Sequence, residues 1–380
     1  MPKLEKITCV ADMREVYRRR VPKMFIDYCD SGSWTEQTWQ ENSADFKQYK
    51  FRQKILINMN NRSVAIQMLG QNAAMPVALA PTGLIGMQHA DGEILAAQAA
   101  EKFGIPYIMS TMSICSIEDV AAATTQPFWF QLYMMKDREF MKQLIQRAKK
   151  AKCSALVLTA DLQIMGQRHK DIKNGLSAPP KLTLGNIINM CTKPKWCLGM
   201  LGTKRRSFGN IVGHVDGISN TGSLSAWTTE QFDMQLSWND VKWVKQQWDG
   251  KLIIKGIMEV EDAISAVRAG ADAIVVSNHG GRQLDGAPST ISVLEEIVMA
   301  VGQETEVYLD SGIRSGQDVL KAIALGAKGC LIGRAFIYGL GAYGEQGVYK
   351  VLDIIKKELD LSMAFCGKVN IQDVDKNILR

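Results

Sequence analysis

The sequence contains no run of about 18 uncharged apolar residues, so a membrane-spanning helix is not expected. Its first 16 residues mix charged and apolar side chains and lack the apolar centre of a secretory signal. The 8 cysteines are scattered, without a C-x-x-C pair, which excludes the usual zinc and iron–sulfur patterns. We therefore expect no metal site, and reduced thiols in the cytoplasm.

Acidic residues are absent from one long stretch of the chain. Residues 172–215 contain no Asp or Glu, but they contain seven basic residues: Lys173, Lys181, Lys193, Lys195, Lys204, Arg205 and Arg206. Subtracting these seven from the 45 basic residues leaves 38 against 39 acidic ones, so the net charge of +6 comes from this stretch. A charge confined to one segment argues against a general nucleic-acid-binding surface.

Eight short apolar runs, most of them followed by a segment of helical periodicity, indicate the fold. The runs are residues 77–81, 107–110, 128–132, 155–160, 252–256, 273–278, 307–311 and 330–333, and the clearest helical segments are 92–103, 138–151, 260–269 and 317–325. Continuous apolar strands indicate a parallel sheet that is covered on both faces. Eight such units predict an α/β protein, a (β/α)8 TIM barrel. An open doubly wound sheet is disfavoured because it has fewer strands and because no early G-x-G-x-x-G is present.

One interval, between the fourth and fifth predicted strands, is too long for an ordinary loop. We interpret residues 171–236 as an insertion within a single barrel domain that spans residues 1–380. The insertion includes the acid-free stretch. A lid, a partner-binding element or a disordered excursion would each account for its length.

The residues that follow the strands predict the active site, because enzymes with this fold build their sites at the carboxyl ends of the strands. The last two strand ends carry Gly312, Arg314, Gly333 and Arg334, which offer backbone N–H groups and guanidinium groups to a phosphate. A phosphorylated substrate or cofactor is therefore expected.

A second group of rim residues indicates acid–base chemistry. His279, one of only 4 histidines, lies beside two glycines at a strand end, where a general base is expected, and Asp161 is placed to stabilise its protonated form. Arg282 is suited to bind a carboxylate through two hydrogen bonds. Each residue also has a structural explanation, such as capping a helix or pairing with a surface acid. Together they suggest chemistry next to a carboxylate. Methionines, including Met109 and Met112, are interpreted as core packing.

Residues 277–286, which read Ser-Asn-His-Gly-Gly-Arg-Gln-Leu-Asp-Gly, resemble the signature of the FMN-dependent L-2-hydroxy acid oxidase and dehydrogenase family. Further matching motifs are residues 22–24, 27–28, 80–83, 129–133, 255–256, 310–314 and 331–334, so the resemblance covers nearly the whole chain. It is closest to bacterial lactate and mandelate dehydrogenases that reduce a quinone, since Gly83 stands where oxidases of the family tend to carry Ala.

The resemblance implies FMN as the cofactor and oxidation of an L-2-hydroxy acid, most directly L-lactate to pyruvate. It implies FMN contacts from Pro81, Thr82, Gly83, Ser110, Gln131, Thr159, Lys255, Ser277 and Asp310, with the phosphate on Gly312, Arg314, Gly333 and Arg334. It implies substrate binding by Tyr28, Tyr133, Arg168, His279 and Arg282, and catalysis by His279, Asp161, Tyr133 and Arg282.

Several alternatives stay open at this point. L-mandelate or a longer 2-hydroxy acid is an alternative substrate, oxygen is an alternative electron acceptor, and the resemblance does not separate a carbanion from a hydride mechanism. A barrel that binds FMN without catalysis is disfavoured, because His279, Asp161, Arg282 and Tyr133 are all present.

The resemblance also implies partners. Quinone-linked relatives carry a membrane-binding segment in the insertion and are commonly homotetramers. Here residues 180–214 combine the basic residues with Leu182, Leu184, Ile187, Ile188, Met190, Trp196, Leu198, Met200 and Leu201. We therefore expect a peripheral protein, bound to an anionic membrane at the cytoplasmic face of the inner membrane, that reduces membrane quinone.

Overall fold

A computed structural model describes residues 2–176, 183–214, 231 and 233–380. The chain begins with helices α1 (Val10–Arg20), α2 (Lys23–Cys29) and α3 (Gln37–Ala44), followed by an antiparallel hairpin of strands β1 (Ile66–Met68) and β2 (Gln71–Ala73). Short 3₁₀ turns lie at Leu4–Lys6, Asp45–Gln48, Ile371–Asp373 and Lys376–Ile378.

Within the described residues, eight parallel strands form the barrel. They are β3 (Val77–Leu79), β4 (Ile108–Ser110), β5 (Trp129–Tyr133), β6 (Ala155–Thr159), β7 (Lys251–Ile257), β8 (Ala273–Val276), β9 (Glu306–Leu309) and β10 (Gly329–Ile332). Each strand from β4 onward pairs with the next in the chain, and β10 pairs with β3. A single parallel bridge between Leu79 and Tyr107 joins β3 to the chain entering β4 and closes the ring. All eight predicted strands are confirmed, with ends shifted by a few residues.

Helices cover the outside of the barrel. In chain order they are α4 (Ile85–Gln88), α5 (Gly92–Phe103), α6 (Ile117–Ala123), α7 (Arg138–Lys150), α8 (His169–Lys173), α9 (Leu184–Cys191), α10 (Pro194–Gly202), α11 (Trp238–Gln247), α12 (Val260–Arg268), α13 (Thr290–Val301), α14 (Gly316–Ala324), α15 (Arg334–Tyr343) and α16 (Glu345–Phe365). The four helical segments predicted from periodicity correspond to α5, α7, α12 and α14. None of the described helices is both long and apolar enough to cross a bilayer.

Burial explains why the strands are apolar throughout rather than alternating. Every residue of β6, β8 and β10 is buried, since the barrel interior covers one face and the helices cover the other. The polar residues that are buried at the carboxyl ends, such as Ser110 and Thr159, are therefore exceptions that need partners.

The described part of the insertion is helical and packed on the barrel. Trp196 of α10 packs against Phe25 of α2 with ring centroids 5.6 Å apart, and its Nε1 donates to the Met87 carbonyl at 2.9 Å. Downstream, the buried Asn210 accepts a hydrogen bond from Ile117 N at 2.9 Å and donates to Ser113 Oγ at 2.9 Å. These contacts exclude a disordered excursion for residues 183–214. The remainder of the predicted insertion, including Lys181 and Leu182, lies at 177–182, 215–230 and 232, outside the described residues.

Candidate active site

A cavity of about 920 Å³ opens at the carboxyl ends of the barrel strands. Residues at the carboxyl ends of all eight strands line it, either the last residues of a strand, such as Tyr133 and Lys255, or residues that follow one. The predicted site residues on its wall are Tyr28, Pro81, Thr82, Gly83, Tyr133, Arg168, Lys255, His279, Arg282, Asp310, Gly312, Arg314, Gly333 and Arg334. The others, Ser110, Gln131, Thr159, Ser277 and Asp161, do not form its wall but lie in or after the same strands.

The turn after β8 holds His279 in a fixed position. His279 has a positive φ of 57°, a left-handed conformation that costs energy in a residue with a side chain. Its backbone N donates to Ser277 Oγ at 3.2 Å, and Gly280 N donates to Ser311 Oγ at 3.0 Å. A Cβ at Gly281 would lie 2.5 Å from the backbone N of Trp39, so only glycine fits there. The turn is thus held from both sides, which orients the imidazole.

The imidazole of His279 pairs with a carboxylate. Its Nδ1 lies 2.9 Å from Asp161 Oδ1, and both side chains are largely shielded from solvent. Burial alone would raise the pKa of Asp161, but the charge and hydrogen bond of His279, with Lys255 nearby, outweigh it and lower that pKa. Asp161 therefore stays ionised at neutral pH, ready to stabilise a protonated His279.

A second buried ion pair lies next to the first. Lys255 Nζ is 2.8 Å from Asp310 Oδ2 and 2.8 Å from Ser277 Oγ, and Ser277 Oγ donates to Asp310 at 2.9 Å. Burial would lower the pKa of Lys255, yet Asp310 and Asp161 outweigh it and raise that pKa. A fixed ammonium group therefore faces the cavity at the end of β7.

Two arginines and an acid form a further polar part of the cavity wall. Arg282 donates to the Tyr28 carbonyl, and its guanidinium carbon lies 4.7 Å from the centre of the Tyr28 ring. Arg168 Nε donates to Asp171 Oδ2 at 2.6 Å, and Arg282 Nη2 is 4.0 Å from the same oxygen. Burial and then the charge of Arg168 lower the pKa of Arg282 to about 10. Two buried cations share one nearby carboxylate, which favours binding of a further anion.

Tyr133, at the end of β5, lines the same cavity. Burial raises the pKa of its phenol, and the negative charge of Asp161 raises it further. The hydroxyl group is therefore protonated at neutral pH and can donate a hydrogen bond.

The end of the cavity after β9 and β10 has a different character. Gly333 precedes the first turn of α15, so the N-terminal N–H groups of a helix meet the cavity at this point. Arg334 donates to the carbonyls of Cys29 at 2.8 Å, Ser31 at 2.7 Å and Gly280 at 3.0 Å. Its guanidinium group thus also ties the N-terminal region to the turn that bears His279, a role that the sequence did not indicate.

The apolar wall was not predicted. Four methionines, Met24, Met87, Met112 and Met165, line the cavity. The interpretation of the methionines as core packing is confirmed for Met109, which is fully buried, whereas Met112 packs against the core and also lines the cavity. Asp171 was missed as well, because an isolated acid at the edge of a basic stretch forms no recognised motif. The spacing of Arg168 and Asp171, three residues apart in a helical turn, is the one signal that would have indicated their pairing.

Comparison with known proteins gives consistent results. Residues 17–380 match the family described as FMN-dependent dehydrogenase. The chain is 44% identical over 375 residues to the L-lactate dehydrogenase of Haemophilus influenzae, which covers 98% of each chain. It is similar to the crystal structure of the monotopic membrane protein (S)-mandelate dehydrogenase, with 35% identity, 99% of each chain covered and a TM-score of 0.94. A mandelate oxidase structure with a bound difluorinated 2-hydroxy acid is 33% identical, with 98% of each chain covered and a TM-score of 0.82.

Proposed function

This chain belongs to the FMN-dependent dehydrogenase family, and we propose that it oxidises an L-2-hydroxy acid, foremost L-lactate to pyruvate, and passes the electrons to membrane quinone. The observation that carries the proposal is the meeting, in one cavity, of the His279–Asp161 pair with the arginines Arg168 and Arg282. The 44% identity to an L-lactate dehydrogenase supports the choice of substrate.

The arginines would bind the carboxylate of the substrate. Arg282 is charged at neutral pH, since its pKa of about 10 is still well above 7. A bound anion would stabilise its charged form, because it would offset the repulsion from Arg168. Tyr28 holds Arg282 in place, because its carbonyl accepts a hydrogen bond from the guanidinium group and its ring lies against that group. A bidentate carboxylate contact would fix the substrate with its α-carbon near His279.

His279 would take a proton from the substrate, either from the α-carbon in a carbanion mechanism or from the hydroxyl group in a hydride mechanism. Because Nδ1 is engaged by Asp161, Nε2 is the ring nitrogen left to accept it, and the ionised Asp161 then stabilises the imidazolium that forms. Tyr133 would donate a hydrogen bond to the oxygen on the reacting carbon, since its phenol is protonated at neutral pH.

The residues present fit FMN on two observations. Gln131 Nε2 is buried without a hydrogen-bond partner among the described residues, whereas Gln131 Oε1 accepts from Ser110 Oγ at 3.0 Å, so an acceptor on a bound ring would complete the amide. The helix terminus at Gly333, with Arg314, suits a phosphate. When bound, FMN supplies the two-electron oxidising capacity that no side chain offers. The other FMN contacts we propose are Pro81, Thr82, Gly83, Thr159, Lys255, Ser277, Asp310, Gly312 and Arg334.

The apolar wall supports a second candidate substrate. Met24 and Met112 face the cavity, and methionine side chains adapt readily to aromatic groups of different shape. Oxidation of L-mandelate, or of a longer 2-hydroxy acid, is therefore the alternative function. The likeness to (S)-mandelate dehydrogenase supports it.

Peripheral binding to an anionic membrane through residues 180–214 is part of the proposal. Leu184 and Ile188 of α9 and Leu198 and Leu201 of α10 are exposed, the last two at 69% and 71%. Such apolar side chains next to basic ones favour an interfacial position, and each engaged basic residue contributes about 1 kcal/mol. The name of one similar structure, a monotopic membrane protein, supports this reading. We place the binding surface at the cytoplasmic face of the inner membrane.

The structure changes which basic residues can supply the positive charge of the proposed membrane-binding surface. Arg205 is 3.0 Å from Asp91 and 2.7 Å from Asp119, so these two carboxylates offset its charge and it anchors the insertion. Exposed arginines at the end of α1 add to the surface instead, because Lys193 Nζ of the insertion donates to the Arg19 carbonyl at 2.9 Å, next to Arg18. The proposed binding surface therefore combines α9, α10 and the end of α1.

A homo-oligomer, a tetramer by the family resemblance, completes the proposal. Ile55, Leu56 and Phe365 are exposed apolar residues near one another, since Lys54 N donates to the Phe365 carbonyl at 3.0 Å. A second copy of the chain would remove them from water. Light scattering on the purified protein measures the mass directly.

Steady-state kinetics test the choice of substrate and acceptor. FMN-loaded protein is assayed with L-lactate, L-mandelate and longer L-2-hydroxy acids, each with a short-chain quinone or with oxygen. We expect the highest kcat/KM with L-lactate and quinone. A higher kcat/KM with L-mandelate would replace the substrate, and rapid peroxide formation in air would replace quinone with oxygen as acceptor.

A further inference from the structure

Gln283 follows the catalytic turn and makes three hydrogen bonds with a single side-chain amide. Its Nε2 donates to the Asp161 carbonyl at 2.8 Å and to the Ile164 carbonyl at 2.8 Å, and its Oε1 accepts from Gly166 N at 3.1 Å. All three partners are backbone groups of the irregular loop between β6 and α8. This loop has no regular secondary structure to pair its backbone N–H and C=O groups, so the Gln283 amide supplies hydrogen-bond partners for three of them.

This loop has a functional residue at each end. Asp161 lies at its start and Arg168 at its end, where α8 begins. The turn to which Gln283 belongs carries His279 and Arg282. His279 pairs with Asp161 to accept the proton, and Arg282 forms, with Arg168, the carboxylate clamp, by which we mean the two arginines proposed to bind the substrate carboxylate. One side chain therefore connects the two backbone segments on which both pairs depend.

The loop and the turn around Gln283 are packed so closely that a shift of one backbone segment would displace the other. A Cβ at Gly166 would lie 2.5 Å from the Arg282 carbonyl oxygen and 2.8 Å from Gln283 Cα, so the loop lies directly against the turn. Ser33 N donates to the Gly281 carbonyl at 2.9 Å, and Trp34 N donates to the Gln167 carbonyl at 3.1 Å, which ties both segments to the same N-terminal stretch. With the backbones this close, a shift of the loop would alter the separation of His279 and Asp161.

We propose that Gln283 is a positioning residue that sets the spacing between the His279–Arg282 turn and the Asp161–Arg168 loop. Through this spacing it aligns the proton-accepting pair and the carboxylate clamp together. The inference rests on the proposed function, since it concerns the same four side chains. Gln283 itself does not line the cavity.

Gln283→Met tests the inference, since methionine keeps the length of the side chain and removes all three hydrogen bonds. We expect a kcat lower by roughly 10- to 100-fold, as for a misplacement of about 1 Å, and a raised KM for the 2-hydroxy acid. FMN content and melting temperature should stay close to those of the wild type. Hydrogen exchange should show faster exchange in residues 160–168. Gln37→Met, which removes an exposed amide whose Nε2 donates to Glu41 Oε1 at 2.8 Å, is the matched control and should change none of these values.

A double-mutant cycle separates positioning from general stability. If Gln283 acts through Asp161, Gln283→Met should reduce kcat by less than about threefold in an Asp161→Asn background. An equal loss in both backgrounds, or a wild-type kcat in Gln283→Met, would overturn the role of Gln283. Should Gln283→Met fail to fold, Gln283→Asn, one methylene shorter, enters the same cycle with the same two outcomes. A wild-type kcat in Asp161→Asn alone would instead overturn the proposed function.

Discussion

His279 Nδ1 lies 2.9 Å from Asp161 Oδ1, although the two residues are 118 positions apart in the chain. Asp161 follows β6 and His279 follows β8, and the parallel barrel brings both strand ends to one rim. The pair has an ionised carboxylate, because His279 and Lys255 outweigh the cost of burying Asp161 and lower its pKa. A proton taken up by the imidazole is therefore stabilised without a change in the charge of Asp161.

Replacing the imidazole should stop turnover without emptying the site. In His279→Gln the side chain keeps a similar size but cannot accept a proton, so kcat should fall by roughly 100- to 10,000-fold. FMN content should be unchanged, since the ring is one of many groups lining the cavity. Turnover and flavin absorbance of the purified variant measure the two effects. Near-normal turnover would refute the role of His279.

Gly83 should tolerate no side chain without a cost to substrate binding. A Cβ there would lie 3.2 Å from both Met112 Cβ and the Met112 carbonyl oxygen, and 3.5 Å from the Tyr28 hydroxyl. Gly83→Ala should therefore displace the wall beside the carboxylate clamp and raise KM by roughly 10-fold. Gly185→Ala is the control, since the nearest atom to its Cβ is 3.8 Å away. Equal KM values in both variants would contradict this expectation.

The exposed leucines of α10 should determine membrane binding. Leu198→Gln combined with Leu201→Gln removes apolar area and leaves the packed residues 203–211 intact, so recovery with anionic vesicles should fall several-fold. Activity with a soluble dye should stay at the wild-type value. Met299→Gln, at an equally exposed apolar position on α13, is the matched control and should bind vesicles normally. Unchanged recovery of the double variant would argue against the proposed surface.

The stability of the barrel should depend on Asp272 in a pH-dependent way. Its carboxylate accepts from Lys245 Nζ at 2.8 Å, Lys251 Nζ at 2.9 Å and Leu252 N at 2.9 Å. Burial would raise the pKa of Asp272, but Lys245 and its other donors outweigh burial and lower that pKa below 3.8. A lowered folded-state pKa means that the stabilisation is present above about pH 4 and is lost as the pH falls through the folded-state value.

Asp272→Asn should accordingly reduce the free energy of unfolding by about 1–3 kcal/mol at neutral pH. The difference from the wild type should shrink below about pH 4. Denaturant unfolding at the two pH values measures it, with Asp373→Asn, at an exposed position, as a control that should leave stability unchanged. If wild type and Asp272→Asn differed by the same free energy of unfolding at both pH values, the carboxylate charge of Asp272 would not be the source of the stabilisation.

The barrel was predictable because its strands are covered on both faces. A strand such as β6, in which every residue is buried, leaves a continuous apolar run that periodicity detects. The position of the site followed from the fold, and His279, Arg282 and Gly333 belong to motifs that follow strand ends. The strand boundaries were less predictable, since Ser277 lies just after the last residue of β8 and yet still donates from its backbone N to the Ile257 carbonyl of β7 at 3.1 Å.

Other features depend on tertiary contacts that leave no local pattern. Arg205 belongs to the basic stretch by sequence, yet Asp91 and Asp119, at the beginnings of the distant helices α5 and α6, offset its charge. Met112 looks like any core methionine, and only the closed barrel shows that it faces the cavity. Gln283 forms part of the family signature, but its contacts with the Asp161–Gly166 loop appear only when β6 and β8 come together.

Anaerobic mixing of the FMN-loaded protein with L-lactate tests the central claim most directly. Flavin absorbance is followed in the wild type and in His279→Gln, with D-lactate as the control substrate. We predict rapid bleaching by L-lactate in the wild type, bleaching slower by at least roughly 100-fold in His279→Gln, and none with D-lactate. An oxidised flavin spectrum that persists in the wild type with L-lactate and with every other L-2-hydroxy acid would contradict the account.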